Sequence, residues 1–326
     1  MFRFDLPAFC GSTSESMSTD FPEQAPEQAQ QQRSRSMAWI QLGALLTIVA
    51  AYAAGSFLAD RGVEHPIAIA FGAEVVAILV LFGGSRLAGN SGFGDPHWSL
   101  APIFVGLYFA LIGHAQEGPE PSLLRQMVVL PLVCAWGIRL TYNWQRGFGG
   151  FDHEDWRYAK LRSEFGSRYW MIELVGIHIY QMVLTFLGCL PLYVALAVGN
   201  HPFGVFDVVA TLLTGVAIWI EMTADRELYD FSRSERVPGA VLDTGLWRTS
   251  RHPNYFGELL FWWGLYLFGL SADPSWWWTI VGPLAITFMF LFISMPLLEE
   301  RQAERRPGYA DYARQVSVLV PWFRKS

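Results

Sequence analysis

The run Gly245–Glu258, GLWRTSRHPNYFGE, concentrates more chemistry than any other part of the chain. It begins polar and continues directly into an apolar block. Pro253 suits the first turn of a helix, because its missing N–H would have no partner there. The N–H groups that follow carry the positive end of the helix dipole, beside Arg248 and Arg251. A helix start flanked by arginines at a membrane surface is a ready anion site. Asn254 and Glu258 are four apart and share a face. One turn inside an apolar span, an amide and a carboxylate are costly without a purpose. Gly257 lies between them and lets a neighbour approach the backbone closely.

Two further groups could meet that face. Glu221 and Asp225 are four apart on one helical face, followed by Tyr229 and, a turn later, Arg233. Two carboxylates at this spacing repel unless donors such as ribose hydroxyls, an amide or an arginine lie between them. The C-terminal run EERQAERRPGYADYARQVSVLVPW offers the doublet Glu299–Glu300, then Arg301, Arg305 and Arg306, then Tyr309 and Tyr312 on a short amphipathic helix. Basic and aromatic residues of this kind suit a phosphate and a flat ring. An interfacial helix on anionic lipid would use the same residues. Val316–Pro321 is apolar enough to dip back to the membrane. Asp95, His97, Arg139, Tyr142, His178 and Gln181 are polar residues at the mouths of spans or inside them. For Arg139 an ion pair with Asp95 or a glutamate is expected. The seven histidines show no clustered ligand spacing, so no metal site is expected.

These residues need membrane helices to hold them. The chain has 326 residues, 52% hydrophobic and only 16% charged, with 14 Trp and 24 Phe. Soluble domains carry roughly 25% charged residues. The apolar residues form blocks of about 20, the length that crosses the hydrocarbon core. They predict an all-α polytopic bundle of about eight spans: 38–58, 66–82, 98–113, 127–144, 170–198, 203–222, 255–270 and 276–298. Pro191 is the expected bend in the long fifth span. Residues 1–36, rich in Ser, Gln, Glu and Pro, predict a disordered cytosolic tail, and 37–326 one membrane domain. Of the 23 Lys and Arg, 20 fall on the side assigned to the cytosol, two (Arg61 and Arg125) on the other, and Arg139 within a span. That asymmetry places both termini in the cytosol. The three cysteines lie far apart and suggest no disulfide framework.

The quoted motifs resemble the steroid 5-alpha-reductase-like superfamily of membrane enzymes, closest to its bacterial branch with a steroid-reductase C-terminal domain. LDTGLWRTSRHPNYFGELLFWWG, GDPHWSLAP and RRPGYADYARQVSVLVPWF carry the likeness, from about Gly94 to Phe323. It implies NADPH as cofactor, bound by the half from about residue 203 to 326. The implied reaction reduces a carbon–carbon double bond conjugated to a carbonyl in a sterol- or isoprenoid-like lipid. Asn254 and Glu258 match positions holding the nicotinamide half, and Asp225 and Arg233 those holding the adenosine half. Glu221, Trp247, Arg251, His252, Tyr255, Glu300, Arg301, Tyr309 and Tyr312 complete the implied cofactor site. The eukaryotic members use a Gln-Glu pair and a Tyr around the substrate ketone; that pair has no counterpart on an early span, and the Tyr position reads Trp136. Tyr142 and Asp95 are the expected proton donors. The apolar stretch of Phe261, Trp262 and Trp263 is the expected lateral route for the lipid.

The same residues fit a rival. Membrane methyltransferases of the isoprenylcysteine and phospholipid type share the RHP-x-Y-x-G pattern and a later acidic doublet, and use S-adenosylmethionine. A lipid-binding protein without turnover is the third reading. The bilayer and a hydrophobic lipid are the expected partners, with no role for nucleic acid. The expected location is a bacterial inner membrane, with the cofactor site on its cytosolic face.

Overall fold

A computed structural model describes residues 26–114, 120–234 and 239–324, and these contain no β-strand beyond one isolated bridge. The order is α1 (Pro26–Asp60), α2 (Pro66–Ala88), α3 (His97–Gly113), α4 (Leu123–Gly147), α5 (Trp156–Phe165) and α6 (169–198). Then come α7 (Val205–Arg233), α8 (Pro253–Ala272), α9 (Pro274–Arg305) and α10 (Tyr309–Gln315). The polytopic helical bundle expected from the sequence is the observed architecture. Seven helices among the described residues are long and apolar enough to cross a membrane. The eighth expected span, α8, falls outside that set, because Asn254, Glu258 and its many Tyr and Trp residues dilute its hydropathy. At 20 residues it is about 30 Å long, still a bilayer's hydrocarbon thickness.

Two boundaries differ from expectation. The first helix begins at Pro26 rather than near residue 38, so residues 26–36 of the expected tail continue the span; residues 1–25 lie outside the described residues. In α6 the helix also carries π-helical turns at Ile172–Ile179 and Val194–Val198, the second beginning three residues past Pro191.

The tightest packing joins α7 to α8. A Cβ on Gly257 would stand 2.8 Å from the Ala217 carbonyl oxygen, and one on Gly264 would stand 2.2 Å from Thr214 Oγ1. These glycines, seven apart, meet a stripe of small residues (Ala210, Thr214, Ala217, Ala224) that is fully buried. Small residues let backbones approach closely where lipid gives helices no hydrophobic drive to associate. Trp136 of α4 closes the core, stacked on Phe261 with centroids 4.3 Å apart.

At the far end of the bundle Arg125 and Asp207, both fully buried, pair at 2.6 Å. Arg125 also donates to the carbonyls of His201 and Pro202, while Asp207 accepts from Gly204 N and Ser271 Oγ. One of the two arginines expected in outside loops is therefore a structural bolt.

Candidate functional site

The opposite end of the bundle gathers the polar residues. There the C-terminal ends of α4, α7 and α9 meet the N-terminal ends of α3 and α8. Two connected clusters result.

The first is buried between α4, α7 and α8. Asp225 Oδ2 accepts from Arg139 Nη1 at 2.9 Å and from Asn143 Nδ2 at 2.8 Å, and Oδ1 accepts from Asn254 Nδ2 at 3.2 Å. The pair four residues apart on α7 does meet an arginine and an amide, and the partner of Arg139 is an acid of α7 rather than Asp95. Glu221 Oε1 lies 2.7 Å from Arg139 Nη2, yet the two are not aligned as a hydrogen bond. Neither oxygen of Glu221 has a hydrogen-bond partner, although the side chain is fully buried. Glu258, one turn deeper than Asn254, accepts from three indoles: Trp98 and Trp262 at Oε1, both 3.0 Å, and Trp136 at Oε2, 3.1 Å.

The second cluster faces a cavity of about 100 Å3. Glu299 Oε1 accepts from His252 Nε2 and Tyr309 Oη, each at 2.7 Å, and its other oxygen pairs with Arg251. Arg251 Nε is buried with no hydrogen-bond partner. Tyr312 Oη donates to the Trp247 carbonyl at 2.6 Å, and Trp247 Nε1 donates to the Ala224 carbonyl at 3.0 Å. Burial pushes the hydroxyl pKa of both Tyr309 and Tyr312 up, and for Tyr309 the bond to Glu299 adds to it, so both stay neutral donors at physiological pH. The cavity opens onto the first turn of α8, where Pro253 occupies the first helical position. The C-terminal segment straps this rim: Arg251 N donates to Ser317 O at 2.8 Å and Trp322 N to Thr249 O at 2.9 Å.

The expected cofactor residues thus divide. Trp247, Arg251, His252, Asn254, Tyr255, Tyr309 and Tyr312 all line the cavity. Asp225 touches it through Asn254, while Glu221 and Glu258 lie behind it. Arg233 is at the exposed end of α7 and stacks on Tyr229. Glu300 is exposed, and the acid turned into the site is its neighbour Glu299. Arg301 lies over the Trp156 ring, 4.0 Å from its centroid. The two expected proton donors do not join the site. Tyr142 points outward, 57% exposed, near Arg146. Asp95 is buried and already engaged by Tyr158 Oη at 2.7 Å and Trp144 Nε1 at 3.4 Å.

A cavity of about 610 Å3 lies among α1, α2 and α3. Its lining is mainly apolar, with the hydroxyls of Thr47, Tyr52, Ser56 and Tyr108 and one charged pair: Glu74 of α2 and His97 of α3, 2.7 Å apart and mostly buried. Glu74 was legible as an acid inside the second apolar block, a functional suspect by position alone. Phe261 and Trp262 are fully buried in the core and Trp263 donates to Thr287 Oγ1, so none of them lines this cavity. His97 and Trp98, adjacent on the first turn of α3, connect the two regions: His97 faces the large cavity and Trp98 donates to Glu258.

An uncharacterized protein of Schizosaccharomyces pombe, C594.04c, is 32% identical over 267 residues, covering 74% of this chain and 76% of its own. No solved structure matches. Residues 81–316 match the family model described as a protein of unknown function, DUF1295, a span that holds both polar clusters and His97. The chain therefore belongs to the DUF1295 family.

Proposed function

We propose that this membrane protein is an NADPH-dependent reductase of a carbon–carbon double bond conjugated to a carbonyl, acting on an apolar lipid of sterol or isoprenoid type. The observation that carries the reading is the cavity on the first turn of α8. Seven residues that the superfamily motif assigns to the cofactor converge there from sequence positions 247 to 312. The unpartnered Arg251 Nε and the positive dipole end of the helix start suit a phosphate. Tyr255, Tyr309 and Tyr312 supply flat faces for rings. The family match and the resemblance to the steroid-reductase-like superfamily point the same way.

The lipid belongs in the large cavity, whose volume and apolar lining suit such a ligand. Bound NADPH supplies a hydride. When hydride bonds to the β-carbon, the double-bond electrons move onto the carbonyl oxygen as an enolate. In a water-poor site that charge needs a fixed acid. The Glu74–His97 pair takes this role in place of Tyr142 and Asp95. It gives a proton to the oxygen, the enol tautomerises to the saturated ketone, and water restores the proton.

The acid pair also favours reduction over the rival methyl transfer, which needs no proton donor in a lipid cavity. The test offers purified protein NADPH with a panel of enone lipids, and separately S-adenosylmethionine with prenylcysteine or phospholipid acceptors. NADPH oxidation that tracks the enone and is lost in Glu74→Gln and His97→Phe supports the reading. Methyl transfer without NADPH binding overturns it.

A further inference from the structure

Two arginines at the polar end of the bundle stand apart from both clusters. Arg146 is in the last turn of α4 and Arg233 in the last turn of α7, and both close on one side chain, Tyr229. The Arg146 guanidinium lies over the Tyr229 ring, 3.6 Å from its centroid, and Arg233 Nη1 donates to the Tyr229 hydroxyl. Neither arginine is paired with an acid among the described residues, whereas the neighbouring Arg226 has Asp230 at 3.8 Å. Two guanidiniums drawn onto one neutral ring repel each other. An anion set between them replaces that repulsion with attraction.

The helices place this pair at the edge of the lipid. On α7 the exposed residues Val216, Trp219 and Met222 run three apart, and the same face continues as Arg226, Tyr229 and Arg233. On α4 Ile138 and Tyr142, 61% and 57% exposed, lead at a spacing of four to Arg146. About 20 residues of helix cross the hydrocarbon core, and the headgroup layer beyond it is roughly 5–8 Å deep. Counted from Leu123 and from Val205, the core ends near Tyr142 and Ala224. Arg146 then starts about 6 Å beyond the core and Tyr229 about 7.5 Å, both in the headgroup layer. Arg233 starts farther out. Helical side chains lean toward the N-terminus, here toward the lipid, and its guanidinium reaches back to Tyr229.

The pair also continues the seam between α4 and α7. Arg139 and Asn143 of α4 hold Asp225 of α7, and Arg146 over Tyr229 is the next contact outward along the same two helices. An anion bound there ties the two helix ends together one turn beyond Asp225.

We propose that Arg146 and Arg233, gathered on Tyr229, bind the phosphate of an anionic glycerophospholipid whose chains lie along the exposed faces of α4 and α7. Arginine suits this ligand because its planar donors pair with phosphate oxygens. The proposal needs only a membrane-spanning bundle and stands without the reductase reading. It gives Arg233 a role outside the cofactor cavity, which it does not line.

The test titrates purified protein in a neutral detergent with phosphatidylglycerol and follows the melting temperature. Phosphatidylglycerol should raise it saturably, because a ligand of the folded state stabilises by mass action. Phosphatidylcholine and inorganic phosphate should leave it unchanged, since the first lacks the net charge and the second the chains. One arginine at an anionic lipid surface is worth about fivefold in affinity. Arg146→Gln and Arg233→Gln should each weaken the apparent affinity for phosphatidylglycerol by about that factor, and Arg146→Lys should lose less. Arg168→Gln, which removes an exposed arginine outside the pair, should keep the wild-type affinity. Each variant is read by the shift that phosphatidylglycerol produces in its own melting curve, so a lower starting stability does not mimic lost binding. An equal response to phosphatidylcholine or to inorganic phosphate overturns the proposal, as does an Arg168→Gln loss as large as the other two. Unaltered affinity in both Arg146→Gln and Arg233→Gln overturns it as well. Competition between phosphatidylglycerol and NADPH would return Arg233 to the cofactor and overturn it too.

Discussion

At the residue scale, Glu299 shows how one side chain organises a site. It gathers His252, Tyr309 and Arg251, which come from two segments nearly 50 residues apart from it or ten residues beyond it. With Arg251 Nη1 fixed on Glu299, its buried Nε is left to meet a ligand. Losing one charge-assisted hydrogen bond costs about 1.5–3 kcal/mol. Arg251→Ala should therefore weaken NADPH about 10- to 100-fold in a quenching titration on the folded variant. An unaltered affinity in folded protein would reduce Arg251 to a structural role. Tyr309 carries a pH signature. Its hydroxyl pKa is raised by burial and by Glu299, so the folded state holds that proton above the unfolded value of about 10. Stability is then complete below about pH 10 and falls as pH rises beyond it. Tyr309→Phe should make that alkaline decline shallower in a melting series, and an equally steep decline would show that other groups cause it.

At the element scale, the α7–α8 seam holds the site in register. Asp225 and Asn254 can meet only because Ala217 and Gly257 let the two backbones touch. A side chain at Gly264 would enter the space of Thr214, and overpacking of this kind costs about 1–3 kcal/mol or more. Gly264→Val should lower the melting temperature and weaken nucleotide binding together, although residue 264 lines no cavity. Gly215, on α7 with open space around its Cβ position, is the control, where Gly→Ala should leave both unchanged. A Gly264 variant as stable as wild type would show that the helices slide apart without cost.

At the scale of the whole molecule, the polar clusters occupy one end of the bundle and the Arg125–Asp207 bolt the other. Removing one partner of a buried ion pair costs about 3–5 kcal/mol, whereas replacing both with apolar residues is often neutral. Arg125→Met alone should lower the melting temperature sharply, and adding Asp207→Leu should recover most of the loss. If the double variant is no better than the single one, the hydrogen bonds to the 201–204 loop matter more than the charges. The Lys and Arg distribution gives the orientation to test: the end bearing Arg251 and Asp225 faces the cytosol. Reporter fusions at Ser275 and at the C-terminus should then report opposite sides of the membrane, and the same side for both removes this orientation.

The apolar blocks determined the helical bundle, because burying backbone in lipid leaves few alternatives to helices. The α8 motif was legible for the same local reason: its proline, its amide and its carboxylate declare their shared face through helical spacing alone. The face of Glu221 and Asp225 was legible too, with ribose hydroxyls, an amide or an arginine as the donors that could answer it. Which groups would answer was decided by tertiary packing, since Arg139 and Trp136 of α4 and Trp98 of α3 are more than 80 residues away from the acids they bind. Periodicity also could not separate Glu299 from Glu300, neighbours of one chemistry that α9 turns to different sides. Nor could it pair Glu74 with His97 at the wall of the 610 Å3 cavity, or bury Phe261 and Trp262 that composition alone would set against lipid. Sequence spacing fixes which residues share a helix face, but the partner of that face depends on how helices distant in sequence come to pack.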